Sequence, residues 1–451
     1  VGGFAIQATG RTQTIRQPIV AHRLVYGKVR TSGPLVFYEA TDSNRYHHMV
    51  VVLAAHEVAE IGTVWFNDTP IYADEIDGTG SVTAGTFSGK ARIKKHLGAA
   101  DQTVDADLLA DTSATEEFRA RGRAYVYVRI DFDRDVYPTG LPNVSANVKG
   151  FKVVDVRDSG SAALWSPNAA LCLRHWMDYA KSKGGLGALR IDDTFAISAA
   201  NTCDEFAPTR AQAMTASAID ATADTIAFGN DRLLFQDGDR LEITTSGAMP
   251  GGLTSAAGSP TTYYYAIVWQ ERKTTAQAVK IKVASTYANA LAGTAVDITS
   301  AGTGTHTVTK VAEPRYTCNG VVQTDAKRGD ILRELSSAMG RIPVHAGGYW
   351  RIQAAAWAAP TVTLDEDDLR GAITSTTRVS RREKFNAVKG IYVSPLNDGQ
   401  PTDYPAVTSS SYESADGGER LVTDLDLPFT ARAQSAQRIA AIQLKRHRNE
   451  L

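Results

Sequence analysis

The chain has 451 residues, of which 43% are hydrophobic and 22% are charged, as expected of a folded protein with room for about three domains. No apolar run reaches the length of a membrane-spanning helix. The chain has 48 Lys and Arg against 49 Asp and Glu, which gives a net charge of −1. Because there is no excess of positive charge to attract nucleic acid, DNA binding is disfavoured as the main function. Its three cysteines, Cys172, Cys203 and Cys318, are too few and scattered for a disulfide framework or a paired-cysteine zinc site, and favour a reducing compartment.

Residues 1–160 are rich in short strand-like runs bounded by Gly, Pro, Asn or Asp, which predicts a first β-rich domain. Val20 to Val29 and Leu35 to Ala40 flank a turn and predict a hairpin. Met49 to Ala54 is a short apolar run that suits a strand buried on both faces. Tyr125 to Asp131 continues the strand pattern.

Residues 161–212 change to helical spacing and predict a small helical subdomain. Asn168 can cap a helix that ends near Gly184–Gly185. Its predicted apolar face consists of Ala169, Cys172, Leu173, Trp176, Met177 and Ala180. A second Ala-rich run, Phe195 to Phe206, follows Ile191 to Thr194, which offers another N-terminal cap.

Residues 213–312 predict a separate small β module, because β-rich runs alternate with Gly, Ser, Thr and Ala loops. The predicted strands are Ile226 to Phe228, Arg240 to Thr244, Tyr263 to Trp269, Val279 to Val283 and Val296 to Ile298. The aromatic residues Tyr263, Tyr264, Tyr265 and Trp269 are typical of strand cores, and a glycan-binding surface is the alternative.

Residues 313–345 predict a strand followed by a helix. Tyr316 to Val322 is β-rich with an Asn319–Gly320 turn signal, and Ile331, Leu332, Leu335, Ala338 and Met339 have helical spacing. Residues 346–451 predict a second β-rich domain. Arg341 to His345 and Tyr349 to Gln353 flank Gly347–Gly348 as a tight hairpin that shares a core with the helix.

Further on, Leu364 to Gly371 predicts an acidic turn and Arg381 to Val393 a returning strand. A closing helix follows from the spacing of Ala436, Ile439, Ala440, Gln443, Leu444 and His447. The missing initial Met and the absence of a helix stop predict a fragment of a longer protein.

Several groups of residues resemble catalytic or metal-binding motifs, but each motif is incomplete. His56-Glu57-Val58-Ala59-Glu60 lacks the second histidine of a zinc-protease helix, and His47 and His48 are expected in a loop. Asp131, Asp133 and Asp135 have the spacing of calcium ligands, but Val136 and Pro142 replace the required Gly and Glu, so a solvated turn is favoured and calcium is the alternative. Asp365 to Asp368 are expected to be hydrated rather than metal-bound.

Other patterns also have simpler interpretations. Cys172 and His175 lie one helical turn apart and Cys203 could join them, yet no motif supplies a base with an orienting partner. Gly184-Gly185-Leu186-Gly187 suits a cap and turn better than a dinucleotide site. Arg378, Arg381, Arg382 and Lys384 form a basic cluster that is expected to face a neighbouring protein. We therefore predict no catalytic, cofactor-binding or metal residues, and no cofactor.

Twelve segments, in this order, resemble the central tail hub, or tip-attachment, family of long-tailed, lambda-like siphoviruses. The segments are Val25 to Arg30, Gly62 to Ile71, Arg121 to Ile130, Gly140 to Asp158, Trp165 to Met177, Ile191 to Glu205, Tyr316 to Gly320, Gly329 to Arg341, Gly347 to Ile352, Leu364 to Gly371, Arg381 to Pro395, and Asp426 to Phe429. The resemblance implies a mainly β fold with α+β parts: tail-tube-like β-barrel or sandwich hub domains, the 213–312 module as an insertion, and a C-terminal helix.

The resemblance also implies a non-enzymatic virion protein, assembled in the host cytoplasm, that forms a homotrimeric hub of the tail tip or baseplate. Such a hub closes the tail tube, supports host attachment and opens for genome ejection. The implied partners are the distal tail protein, the tape measure protein and, through regions outside this chain, a host receptor, while DNA passes through the lumen without specific binding. The alternatives are a tail-associated cell-wall hydrolase, or a glycan-binding module carried by residues 213–312.

Overall fold

The structure is a computed structural model that describes residues 20–158, 160, 162–188, 190–255, 262–274, 276–357, 359, 362–372, 380 and 383–449. The fold is mainly β, with a closed barrel inserted between helical and sheet regions and a helix at the C-terminal end. This agrees with the fold class expected from the sequence. None of the described helices is both long and apolar enough to cross a membrane.

The N-terminal part is a β-sandwich of two antiparallel four-stranded sheets. Its elements are β1 (Arg23–Tyr26), β2 (Lys28–Thr31), β3 (Leu35–Thr41), β4 (Tyr46–Ala54), β5 (Glu60–Phe66), β6 (Thr69–Ile71), β7 (Ala91–His96), α1 (Ala106–Asp111), β8 (Ala124–Asp131) and β9 (Val144–Lys149). The sheet orders are β2-β9-β5-β6 and β3-β4-β8-β7. Alternate side chains of both sheets, such as Val51, Val64, Val128 and Ala146, form one buried core.

Two predicted strands are confirmed here, because β4 contains the buried Met49 to Ala54 run and β8 contains Tyr125 to Asp131. The predicted hairpin of residues 20–40 is wrong. The chain instead breaks at Gly27, β2 pairs with β9, and β3 pairs with β4. Gly27 has φ +62°, and a Cβ there would lie 2.0 Å from the Cys318 carbonyl oxygen, so neither the backbone angle nor the space suits a larger residue.

A short hairpin and two helices follow the sandwich: β10 (Lys152–Val153), β11 (Leu164–Trp165), α2 (Ala169–Asp178) and α3 (Asp193–Asp204). Both predicted caps are confirmed: Asn168 accepts hydrogen bonds from Ala170 N and Leu171 N, and Asp192 accepts one from Thr194 N. The first helix ends at Asp178, earlier than expected. Gly184, with φ +100°, instead ends a separate 3-10 turn at Lys181–Lys183.

The middle of the chain forms a closed barrel in the order β12-β13-β16-β15-β14-β17. Its elements are β12 (Phe206–Asp220), β13 (Thr225–Phe228), β14 (Arg240–Thr245), β15 (Tyr264–Gln270), β16 (Val279–Ala284), α4 (Tyr287–Ala292) and β17 (His306–Pro314). Four predicted strands are present, but Val296 to Ile298 form no strand, and the long β12 and β17 were not predicted. Since Phe206 pairs with Pro314, the chain leaves and returns at one point, as an inserted domain does.

The C-terminal part contains small sheets and three helices within the described residues. Its elements are β18 (Gly320–Gln323), α5 (Arg328–Ser337), β19 (Val344–Ala346), β20 (Tyr349–Arg351), β21 (Ala387–Lys389), β22 (Ile391–Ser394), β23 (Gln400–Asp403), β24 (Val407–Thr408), α6 (Ser410–Ala415), β25 (Val422–Asp424) and α7 (Ala433–Asn449). The hairpin β19-β20 turns at Gly347 and Gly348, both with positive φ, as predicted. Its strands are largely exposed, and Ile352 just beyond them enters the core shared with α5.

Asn319–Gly320 is not a turn. Gly320 instead begins β18, which pairs with β1 from the far end of the chain. Side chains of this two-stranded ribbon alternate between cores: Val25 and Val321 face the sandwich core, while Leu24, Tyr26 and Val322 join α2, α3, α5 and α7 in a second core. That second core includes residues from Leu24 to Leu444. The domain boundaries proposed from the sequence stay predictions.

Candidate functional site

The main cavity lies where the sandwich, the barrel and the C-terminal part meet, and it encloses about 110 Å³. The sandwich contributes Lys28, Arg30, Trp65 and Asn147; the barrel contributes Arg232, Phe235, Asp237, Glu271 and Arg272; the C-terminal part contributes Asn319, Leu396, Asp398 and Arg432. Trp165 closes the side toward β11. The cavity exists only because residues distant in sequence pack together.

Ion pairs join the modules around this cavity. Lys28 Nζ lies 2.8 Å from Asp237 Oδ2, which ties the sandwich to the barrel. Burial alone would lower the pKa of Lys28, but the carboxylates of Asp237 and Glu271 outweigh it and the net pKa is raised. Burial alone would raise the pKa of Asp237, but Lys28 and Lys149 outweigh it and the net pKa is lowered. Both groups are therefore held charged near neutral pH.

The other side of the cavity is tied to the C-terminal part. Asp398 accepts from Arg232 at 3.2 Å and lies 3.5 Å from Arg272. Arg232 also donates to the Leu396 carbonyl oxygen. Asp398 has φ +54°, a left-handed conformation that places its carboxylate in a tight turn. These contacts close the barrel against the β22-β23 turn.

A buried network lies behind the cavity. Arg432 contacts Asp239 and lies 3.5 Å from Glu313, and Lys310 lies 3.2 Å from Asp239 and 2.9 Å from Glu313. Arg438 completes the set at 3.6 Å from Glu313. Burial alone would raise the pKa of Glu313, but Lys310 and Arg432 lower it overall. The barrel is thus held to the start of α7 by charges with almost no contact with water.

His56 is a structural histidine. Its Nε2 accepts from Val25 N at 2.9 Å, its Nδ1 lies 2.6 Å from the Glu57 carbonyl oxygen, and its ring stacks on Phe151 at 3.5 Å. Burial lowers the pKa of His56 to about 3. Glu57 and Glu60 pair with lysines rather than with a metal. The surroundings agree with the strand interpretation and not with a protease helix.

His47 and His48 lie in strand β4, so their predicted loop position is wrong. His48 is buried, with its Nδ1 2.9 Å from the Tyr127 hydroxyl and its Nε2 2.9 Å from Thr41 Oγ1. Its two ring nitrogens are therefore used within the sandwich. The sequence signal that could have found this is that both histidines directly precede the apolar run Met49 to Ala54 without an intervening Gly, Pro, Asn or Asp.

The acidic candidates are paired or exposed. Asp131 forms two hydrogen bonds with Arg45, Asp133 lies 3.0 Å from Lys90, and Asp133 Oδ1 accepts from Asp135 N. Asp365 caps the exposed 3-10 turn Glu366–Asp368. Among the described residues, no group of three or more His, Cys, Asp or Glu side chains could hold a metal ion.

All three cysteines are buried in one core, where Cys172 contacts Cys318 and Cys203 lies nearby. The contact with Cys172 and burial raise the pKa of Cys318, and burial raises that of Cys203, so neither thiol is a ready nucleophile. His175 Nδ1 lies 2.9 Å from the Tyr26 hydroxyl, and burial lowers its pKa to about 4. The sequence suggested that Cys203 could approach Cys172 but missed Cys318.

The remaining candidates, namely the glycine turn, the barrel aromatics and the basic cluster, have different outcomes. Gly184 and Gly187 have positive φ and form a turn, as expected. Of the barrel aromatics, Tyr264 is buried in the barrel core, while Tyr263 and Trp269 are exposed. Arg378, Arg381 and Arg382 lie outside the described residues. The residues that line the cavity were not predicted as a site, because they come from loops far apart in sequence.

The chain is similar to known proteins in two respects. The model of a family described as "Putative phage tail protein" matches residues 329–451, from α5 to the end of the chain. A solved structure titled "Virion of native gene transfer agent (GTA) particle" aligns with 97% of this chain and 74% of its own, at 14% identity and a TM-score of 0.45. No curated protein matches the chain. The family match supports a structural protein of phage tails.

Proposed function

We propose that this chain is a non-enzymatic structural component of a phage-type tail and forms the trimeric central hub of the tail tip. In this role, three copies close the distal end of the tail tube, support host attachment and open for genome ejection. The observation that carries the proposal is the family match over residues 329–451. That segment is packed into the core that also contains α2, α3 and β1, so it is integral to the molecule.

The charges around the cavity support a binding or structural role over catalysis. Lys28 is held protonated and Asp237 ionised by their mutual contact, so neither is poised to transfer a proton near neutral pH. The buried thiols have raised pKa values. We infer that this chain acts through conformational change and contacts between subunits rather than by catalysing a reaction.

Sedimentation velocity of the purified chain tests the assembly. We expect a trimer or a larger ring, because the sandwich has sheet edges open to pairing. A monomer at the highest attainable concentration would count against the hub. Labelling a tagged chain in whole particles tests the location: gold at the tail tip is expected, and gold along the tube or in the head contradicts the proposal.

The hydrolase alternative is tested separately. Cys172→Ala and Cys203→Ala should leave any lytic activity of tail preparations unchanged, with Ser337→Ala as an equally conservative control on α5. Loss of lysis in the cysteine variants alone, with thermal stability retained, would favour an enzyme. The fold would then need to open, since both thiols are buried.

A further inference from the structure

The barrel is attached to the rest of the chain without a shared apolar core. Its own core contains residues from Met214 to Val308, and within the described part of the chain no residue of 206–314 belongs to either of the other two large cores. The two connecting segments leave and enter the barrel at one point, where Phe206 pairs with Pro314. A domain joined in this way can turn about that point unless contacts on its surface hold it in place.

A set of polar contacts, which we call the latch, holds the barrel against the sandwich and the β22-β23 turn. The latch consists of Lys28 with Asp237 at 2.8 Å, Asn147 with Glu271, Tyr72 with the backbone of Arg272 at 2.7 and 3.0 Å, Asp74 with Gln270 at 2.8 Å, and Asp398 with Arg232 at 3.2 Å and Arg272 at 3.5 Å. The side chains of Arg232 and Arg272 are 38% and 32% exposed. Salt therefore screens their attraction to Asp398.

The buried network around Arg432 lies at the point of attachment. Glu313 directly precedes Pro314 in β17, and it contacts Lys310 at 2.9 Å and Arg432 at 3.5 Å. Asp239, which also contacts Arg432, is buried completely. Breaking a buried ion pair is more costly than breaking a partly exposed one, so we expect the base of the barrel to stay closed under conditions that disrupt the latch.

Much of the latch lies beyond this base along β15. Tyr265 pairs with Arg240, which also pairs with Ala312 near the base. From Tyr265 to Gln270 the strand advances by about 16 Å, at about 3.3 Å per residue, and two further latch residues follow it. The strongest contacts are thus at the attachment point, and weaker ones lie away from it, which is the arrangement expected of a hinge.

The latch side of the barrel is incompletely packed. The main cavity and a second cavity of about 80 Å³ both lie between the barrel and the sandwich, and Lys28, Asn147, Val268 and Glu271 line both of them. Atoms that face a cavity lack dispersion contacts on that side. Within the described part of the chain, the buried Gln270 Oε1 also has no hydrogen-bond donor, and water would supply one if the barrel moved away. Both features lower the cost of opening.

We propose that the barrel is a hinged domain, which turns about its base at Phe206 and Pro314 and moves away from the sandwich when the latch breaks. Opening returns the charges of the latch to water and leaves the three large cores intact, so it costs less than unfolding any of them. The movement belongs to the single chain and does not depend on assembly into a tail. A monomeric chain that opens would therefore contradict the trimeric hub alone, and a trimer that stays closed would contradict the hinge alone.

Thiol labelling of the full chain measures the opening. Asn147→Cys on the sandwich and Gln270→Cys on the barrel place reporters in the latch, where the native residues are 8% and 0% exposed. Ala146→Cys and Ala266→Cys are matched controls on the same two strands, because both alanines are buried in the sandwich and barrel cores. We expect each reporter to react at least about tenfold faster than its control, while the three buried native cysteines stay unreactive. Reporters that react no faster than their controls overturn the proposal, and either pair suffices where one variant does not fold.

Weakening the latch should raise the labelling rates of the reporters. Asp398→Asn removes the charge that pairs with Arg232 and Arg272, and it should raise the rates at least about threefold. Raising NaCl from about 0.05 to 0.5 M should also raise them, because salt screens the exposed charges. Arg333→Gln, in an exposed pair with Asp330 outside the latch, should leave the rates unchanged. Rates that respond to neither Asp398→Asn nor salt would mean that the reagent reaches the reporters without movement of the barrel, which overturns the proposal.

Discussion

The role of a histidine can be assigned only when its structural surroundings are known. His56 begins a short motif that suggests a metal-bound helix, yet the residue follows strand β4 and its two nitrogens are used by Val25 and Glu57. Its stacked contact with Phe151 excludes water from the ring. The neutral imidazole is therefore part of the join between the sandwich and α2.

Because burial lowers the pKa of His56 from 6.5 to about 3, we expect it to make the fold acid-sensitive. The unfolded chain takes up a proton near pH 6.5 while the folded chain does not. The contribution is therefore complete above pH 6.5 and is lost as the pH falls toward 3, by up to about 1.4 kcal/mol per pH unit.

Urea unfolding at pH 7.5, 6 and 5 measures this effect. His56→Gln should be less stable than the wild type at pH 7.5 and should show a smaller loss of stability at pH 5. His345→Gln, on the exposed β19 strand, is the matched control and should follow the wild type. A wild type whose stability does not change between pH 7.5 and 5 would contradict the expected role.

At the scale of elements, Arg432 connects α7 with the barrel. Arg432→Gln would leave the carboxylates of Asp239 and Glu313 buried with less compensation. Removing one partner of a buried ion pair costs about 3–5 kcal/mol, so we expect a loss of that order in urea unfolding.

The matched control for that loss is Arg333→Gln, in an exposed pair with Asp330, which should cost less than about 1 kcal/mol. The double variant Arg432→Gln, Asp239→Asn should lose less than the sum of the two single variants, because the groups interact directly. Strict additivity would show that the contact is weaker than its geometry indicates.

The barrel should fold by itself. Its sheet is closed, its core is separate from the other two, and Phe206 pairs with Pro314 at its base. We expect residues 205–315, expressed alone, to give a β-type circular dichroism spectrum and one cooperative thermal transition. A spectrum of an unfolded chain would mean that contacts with the rest of the chain, such as the ion pairs with Lys28, Asp398 and Arg432, are required for folding.

Elements fixed by nearby residues could be predicted, and elements fixed by distant ones could not. Asn168 and the apolar spacing after it identify α2, and Gly347–Gly348 identifies the β19-β20 turn, because each signal acts within a few residues. Residues 20–40 have the composition of a hairpin, but Arg23 pairs with Gln323 and Lys28 with Lys149. Local pattern carries no information about such partners.

At the scale of the whole molecule, the same reason explains why the main cavity was not predicted. Its lining runs from Lys28 to Arg432, and no motif of fixed spacing connects them. The β1-β18 ribbon packs its alternate faces into two cores and so holds the sandwich, which lines one side of the main cavity, against the helices. A sequence pattern could show charged and aromatic residues but not their convergence.

Assembly depends on surfaces that the single chain leaves open. In the sheet β3-β4-β8-β7, β3 is an edge strand, and its Val36 and Tyr38 are 48% and 36% exposed. An edge strand with apolar side chains is suited to pairing with another chain, and lysine on such an edge blocks the pairing. If copies of this chain associate through the sandwich, this edge is the contact we expect.

Val36→Lys, Tyr38→Lys should therefore reduce the proposed trimer to monomers in sedimentation velocity, while thermal stability of the monomer changes little because both side chains are exposed. Val154→Lys, Leu164→Lys is the matched control, since these residues are 47% and 67% exposed and lie outside the two large sheets. A trimer that survives the β3 substitutions but not the control pair would move the interface to the β10-β11 side of the molecule. The proposed subunit contact would then involve the β10-β11 hairpin rather than an edge of the sandwich.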